Sequence, residues 1–138
     1  MARILAVDFG TKKSGIAVSD TLQIIASGLT TVATKDLIPF LDNYVQDEDV
    51  ECFVIGEPKR MNNQPSDVEA DIQLFLKKLK NKFPNIPVHR VDERFTSKIA
   101  FQSMIASGIN KKKRQNKELI DEISATLILQ SFMTRYEE

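Results

Sequence analysis

Two apolar runs, residues 3–9 and 15–19, are joined by only five residues, and that short link constrains the chain more than any other feature. A parallel crossover needs a dozen residues or more, so the two runs can pair only as an antiparallel hairpin, with Gly10-Thr11-Lys12-Lys13 supplying the turn. The first run is apolar on both alternating faces, as a strand covered on both sides of a sheet would be. Residues 26–32, after the polar pair Asp20-Thr21, predict a third strand. From Asp36 the period changes: Leu37, Leu41, Tyr44 and Val45 recur at helical spacing before the acidic residues 47–49. Residues 50–55 read as a buried strand stopped by Gly56-Glu57-Pro58, and residues 59–65 as a polar loop.

Ser66 and Glu69 have the spacing of a capping box, and Ile72, Phe75, Leu76, Leu79 and Phe83 fit one face of the helix that follows. Pro84 and Pro87 end it, and residues 88–91 predict another short strand. Thr96 or Ser97 can cap a helix running to about Ser107, with Gly108 as its stop. After the basic loop Lys111-Lys112-Lys113-Arg114-Gln115-Asn116, a last helix is expected over about 117–135, with Ile120, Ile123, Leu127 and Phe132 on its core face. Three strands followed by alternating helix and strand imply an α/β fold. We expect a mixed sheet of about five strands, with an antiparallel hairpin among the first three and helices on both faces.

At 138 residues the chain has the size of one domain, expected to span 1–138. Its 42% apolar and 28% charged residues exclude a disordered chain, and no stretch approaches the roughly 20 apolar residues of a membrane span. The N-terminus lacks the core and cleavage site of a signal peptide, so a cytoplasmic location is expected. Cys52 is the only cysteine, which removes disulfides and cysteine-based zinc sites, and it reads as a buried inert thiol. Positive and negative charges cancel, so binding to a polyanion must come from local patches rather than from the chain as a whole.

Asp8 is the sharpest anomaly, a carboxylate closing an apolar strand expected near the sheet centre. Such a charge needs a metal ion, a basic partner or strand-end hydration to offset its desolvation. Glu93 follows the strand at 88–91 and Asp121 opens the last helix; singly, each reads equally as a surface carboxylate. Carboxyl ends of parallel strands face one crevice, so Asp8 and Glu93 could converge there, joined by Asp121 if its helix packs across that edge. Carboxylates without His or Cys select hard cations, here Mg2+ or Mn2+, and paired ions of that kind support phosphoryl displacement. His89, the only histidine, has no catalytic partner in the sequence and reads as an ordinary strand residue.

Four segments, Asp8-x-Gly10-x-x-x-x-Gly15-Ile16-Ala17, Gly56-x-Pro58, Val91-Asp92-Glu93-Arg94-x-Thr96 and Asp121-x-x-x-Ala125-x-Leu127-Ile128-Leu129-Gln130, occur in this order from first strand to last helix. Together they resemble the YqgF family, also called RuvX, whose members are RuvC-like and RNase H-like. These are described as Holliday junction resolvases and as nucleases that mature precursor 16S ribosomal RNA. The resemblance implies that Asp8, Glu93 and Asp121 are both catalytic and metal-binding. Gly10 and Gly15 would be the hairpin glycines, Arg94 a phosphate contact and Thr96 a helix cap. It also implies a role in ribosome biogenesis, with structured RNA as partner, branched DNA as the alternative, and pre-ribosomal particles as a setting. Monomer and homodimer both stay open.

The chain departs from that pattern at several positions. Glu57 stands where an apolar residue is usual, Asn62-Asn63-Gln64 replaces a common Asp-Gly, and Glu122 occupies a frequent lysine position. Ser124 offers a hydroxyl where RuvC-type resolvases carry a second acid; Glu118, three residues before Asp121, offers a substitute. Lys12, Lys13, Arg94 and the run Lys111, Lys112, Lys113 and Arg114 are the candidate nucleic-acid contacts, which Lys59-Arg60 would extend, with a solvated loop as the ordinary account of the run. Two other classes stay in view. Asp8-Phe9-Gly10-Thr11 also resembles the phosphate hairpin of the actin and sugar-kinase group, which needs two lobes where this chain has length for one. A non-catalytic RNA- or protein-docking module would suit Glu57 and Ser124.

Overall fold

The computed structural model describes residues 2–58, 68–92 and 117–137, the last segment as backbone alone at 117–122 and 135–137. Its strands are β1 (Arg3–Asp8), β2 (Lys13–Ser19), β3 (Ala26–Ala33), β4 (Val50–Glu57) and β5 (Val88–Asp92); its helices are α1 (Leu37–Asp47), α2 (Glu69–Lys82) and α3 (Lys117–Glu137), with a 3-10 turn at Thr34–Asp36 before α1. All five strands join one sheet in the order β3-β2-β1-β4-β5. β1 and β2 pair antiparallel, as do β2 and β3, whereas β1, β4 and β5 run parallel. The expected mixed sheet with an N-terminal hairpin is therefore what the chain forms.

Strand alternation divides the core into two layers. Leu5, Val7, Ile16, Val18, Phe53 and Ile55 pack against α1 and α2, where Leu37, Leu41, Ile72 and Leu79 are fully buried. Ile4, Ala6, Ala17, Cys52, Val54 and Val91 form the opposite face, covered by Ala125, Ile128, Leu129, Phe132 and Met133 of α3. Sealed in that second layer, the Cys52 thiol is pushed up to about 11, chiefly by burial, with neighbouring Glu51 adding to the shift. Thiolate is the reactive form, so Cys52 should resist a disulfide-exchange reagent at pH 8 and react fully once urea unfolds the chain. Rapid modification of the folded protein would contradict this packing.

Four expectations need correction. β4 does not stop at Gly56 but pairs through Glu57, with Gly56 opposite Val91 and Glu57 opposite Asp92. Only Pro58, which has no N–H to donate, ends it. β2 starts at Lys13, so the hairpin turn is tighter than the turn residues imply. The buried face of α3 is rotated from the predicted one: Ser124, Ala125, Ile128, Leu129, Phe132 and Met133 face inward, while Ile123 and Leu127 are only half-buried. The cause is side-chain size, since Ala6, Ala17 and Cys52 leave a shallow sheet surface onto which Ser124 and Ala125 let the helix settle closely. Finally, Glu69 is the first residue of α2 rather than the third, and Ser66, its expected capping partner, lies outside the described residues, as do the polar loop and the helix expected after Thr96.

Glu69 has a tertiary role instead. Arg90 of β5 grips its carboxylate through two N–H groups, Nη2 to Oε1 at 2.9 Å and Nη1 to Oε2 at 3.2 Å, and also donates to the carbonyls of Ile55 and Gly56. The pair is mostly sheltered, at 20% and 16% side-chain exposure, and ties the start of α2 to the sheet edge. Arg90→Met should cost about 2 kcal/mol in urea unfolding, because it takes the guanidinium from a sheltered carboxylate that keeps the neutral Gln73 amide. Arg90→Lys should recover less than half, lacking the fork.

Candidate functional site

Asp8 closes β1 opposite Gly15 of β2, half-buried at the carboxyl end of the central strand. Ile4 and Ala6 belong to the α3 layer and Leu5 and Val7 to the other, so alternation carries Asp8 to the α3 side. Phe9, next in the chain, goes the other way and packs against Phe75 of α2 at a ring separation of 5.3 Å.

The hairpin beyond Asp8 is held by a closed ring of hydrogen bonds that sequence reasoning missed. Thr34 Oγ1 donates to the Gly10 carbonyl at 2.6 Å, and the Gly10 N–H reaches Ser14 Oγ at 3.4 Å. Ser14 Oγ and Thr34 Oγ1 are 2.9 Å apart, and since the threonine proton is already committed, the serine must donate between them. Both backbone groups of Gly10 are thereby satisfied, and the Thr34 N–H adds a bond to the Lys12 carbonyl at 2.9 Å. The one signal in the sequence was Ser14, a polar residue beside a buried strand; its exposure is 0%. Nothing local announced Thr34, which arrives from the end of β3.

Gly10 itself cannot be replaced without movement. A Cβ built there would lie 2.3 Å from the Lys13 carbonyl oxygen, far inside contact distance. Lys12 and Lys13 are exposed at this tip, on the same edge as Asp8.

Glu57 and Asp92 end the two parallel strands beside β1 and are register partners. Alternation nevertheless sends both to the α2 side, with Phe53, Ile55 and Arg90, away from the face that Asp8 takes. Glu57 is thus at the same edge but across the sheet from Asp8. Among the described residues, no three His, Cys, Asp or Glu side chains cluster closely enough to hold a metal. Glu93, Arg94, Thr96, Lys111, Lys112, Lys113 and Arg114 lie outside the described residues, as do Lys59 and Arg60.

Asp121 and Glu118 are described as backbone within α3, position 121 one turn before buried Ala125. The course of α3 decides which edge it approaches. Gln130, Met133 and Thr134 line a groove with Ile24, Ile25 and Ala26. Ala26 pairs with Ser19, whose hydroxyl accepts the Ile4 N–H, so this is the edge where β1 begins. Phe132 meets His89 near the start of β5, ring centroids 5.1 Å apart, which makes the histidine a packing residue. Position 121 lies eleven residues back along α3, about 16 Å of helix rise, toward the edge where Asp8 ends β1. Ser124, 2% exposed, is sealed against the sheet between them.

A family model described as "RuvX: Holliday junction resolvase" matches residues 2–135. The chain is 60% identical over 133 residues to a Christiangramia forsetii protein named "Putative pre-16S rRNA nuclease", covering 96% of this chain and 98% of that one. A Bacteroides fragilis protein of the same name is 56% identical over 133 residues, 96% of each chain. Among solved structures, Thermus thermophilus RuvC in complex with a Holliday junction substrate matches with a TM-score of 0.58 and 13% identity, over 99% of this chain and 96% of that one. The fowlpox virus resolvase in complex with Holliday junction DNA gives 0.56 and 13%, over 99% of both chains. At such identities these likenesses speak for the fold alone, the RNase H-like fold of the RuvC-type resolvases.

Proposed function

This chain belongs to the RuvX family, and from that membership we propose that it is a metal-dependent nuclease that hydrolyses phosphodiester bonds in precursor 16S rRNA. The substrate follows the name carried by relatives that match along nearly the whole chain. The observation that best supports the site is the course of α3, which directs position 121 toward the edge where Asp8 closes β1. β5 ends with Asp92 on that same edge, and Glu93 is the next residue in the sequence.

The donor set fits a hard divalent ion. Asp8, Glu93 and Asp121 offer only carboxylate oxygens; Cys52 is sealed in the core and the His89 ring packs at a tilt against Phe132, so neither soft nor imidazole ligands compete. These three acids would hold Mg2+ or Mn2+, which supplies charge stabilisation and an activated water. Asp8 is well suited to hold its oxygens still, because it ends a strand paired on both sides and the Ser14–Thr34–Gly10 ring fixes the turn after it. Lys12 and Lys13 stand at that turn to meet backbone phosphates, and Arg94, Lys111, Lys112, Lys113 and Arg114 are further phosphate contacts in this reading. Ser124 supplies no carboxylate, so one tightly held ion is the expected state.

The family description favours a second reading, cleavage of four-way DNA junctions. Incubating the protein with matched precursor-rRNA and four-way-junction substrates, under Mg2+ and then Mn2+, tests both. Cutting of the RNA with the junction left whole is the expected result. Cutting of the junction alone moves the assignment to DNA, and metal-independent binding without cutting of either overturns the nuclease.

A further inference from the structure

We propose that the groove between the β1–β2 hairpin and helices α1 and α2 is a substrate-binding site for a single-stranded flank of the nucleic acid, leading away from the Asp8 edge. This rests on the nuclease reading above and narrows its substrate to one carrying an unpaired stretch beside the cut.

The groove measures about 380 Å³ and is walled by Thr34, Lys35, Leu74 and Lys78 over a floor of Phe9 and Phe75. That volume suits about one or two nucleotides and is too small for a duplex. The two rings lie 5.3 Å apart, tilted 36°; Phe75 is buried at 6% exposure, so the surface offered is that of half-buried Phe9, with Leu74 60% exposed beside it. Apolar surface of this kind is what the face of an unpaired base covers, whatever its identity. Lys35 and Lys78 have no ion pair among the described residues, whereas Lys82, one turn further along α2, is held by Asp42 at 3.8 Å. Asp71 also lines the groove, leaving one positive charge in excess, and Lys12 adds another from the hairpin tip next to Thr11 of the lining. An apolar floor under a net positive rim matches a ligand that carries flat bases on an anionic backbone.

Position relative to Asp8 supplies the connection. Asp8 and Phe9 are consecutive, and alternation sends the acid to the α3 side and the ring into this groove. A strand bent around the carboxyl edge of β1 therefore has one phosphodiester at Asp8 while the next base or two lie over Phe9 and Leu74 with their phosphates at Lys35 and Lys78. A rigid duplex cannot make that bend within one or two nucleotides, so the flank must be unpaired.

The test uses the full chain with the double substitution Lys35→Glu and Lys78→Glu, on an RNA hairpin with a single-stranded tail and on the same hairpin without it. On the tailed substrate KM should rise about tenfold and the loss should sit in KM rather than kcat; on the blunt one the variant should match wild type. Affinity for a labelled single-stranded oligonucleotide, read by fluorescence anisotropy, should fall about tenfold, and its salt slope should shrink by about 1.4, two contacts at roughly 0.7 each. Lys35→Arg with Lys78→Arg should bind like wild type. Lys77→Glu with Lys80→Glu, an equal charge change at α2 residues outside the groove lining, should leave KM and affinity as they were. Unchanged affinity and salt slope in the double glutamate variant overturn the groove, even if wild type cleaves RNA. Absence of cleavage by wild type under either metal overturns the nuclease instead, and the anisotropy result then decides the groove by itself.

Discussion

Asp8→Asn should reduce metal-dependent cleavage by on the order of a thousandfold or more, about 4 kcal/mol of barrier, while the protein stays folded. The substitution keeps the shape of the side chain and removes its charge, and a neutral amide is a poor ligand for a hard cation. Asp8 is half-buried at the end of a strand whose interior is sealed, where an amide of the same shape fits as the carboxylate does. The thermal midpoint of the metal-free variant should therefore stay close to that of wild type, and Mg2+ should raise the midpoint of wild type only. Both readouts matter, because a variant that loses activity through unfolding would show a lowered midpoint. Undiminished cleavage by purified Asp8→Asn would remove this carboxylate from the chemistry.

Gly10→Ala is the second large effect. The new methyl would run into the Lys13 carbonyl, and the atom in its way is backbone, already placed by the pairing of Lys13 with Ala33 in the β2–β3 register. Relief requires the turn to open, which also breaks the ring through Ser14 and Thr34. A cost of roughly 3 kcal/mol follows from overpacking, equivalent to about 10 °C in thermal midpoint for a chain of this length. Activity should fall further than stability explains, because the displaced turn starts two residues after Asp8. Thr34→Val separates the two contributions: it leaves the Gly10 carbonyl without its donor but introduces no clash, and should cost only about 1–2 kcal/mol. A Gly10→Ala protein as stable as wild type would mean that the hairpin tip accommodates a side chain freely.

The parts of the fold that could be read from the sequence are those decided by chain length and period. Five residues between two apolar runs leave an antiparallel hairpin as the only pairing, and α1 and α2 carry apolar residues at clear helical spacing over a polar background. α3 resisted because its apolar and polar residues are mixed around the helix without a clear stripe, and its inward face was chosen by Ser124 and Ala125, residues that carry little hydrophobic signal but permit close approach. Gly56 and Glu57 have turn-like composition, yet pairing to Val91 and Asp92 keeps them in the sheet. At the site, Asp8 was legible as an acid ending an apolar strand. The partnership of Ser14 with Thr34 was not, since it spans 20 residues and depends on where β3 ends. Glu57 ends β4 at the same edge as Asp8, and strand alternation puts it on the other face of the sheet.

The last helix has a consequence for how the protein is made. Ile4, Ala6, Ala17, Cys52 and Val54 have their cover in residues 125–133, so a nascent chain on the ribosome that has built every strand still presents one bare greasy side of its sheet. That side closes only when residues 125–133 have been translated and have cleared the exit tunnel. Position 121 belongs to the same helix, so in the proposed nuclease the cover of the sheet and the third acid are made together.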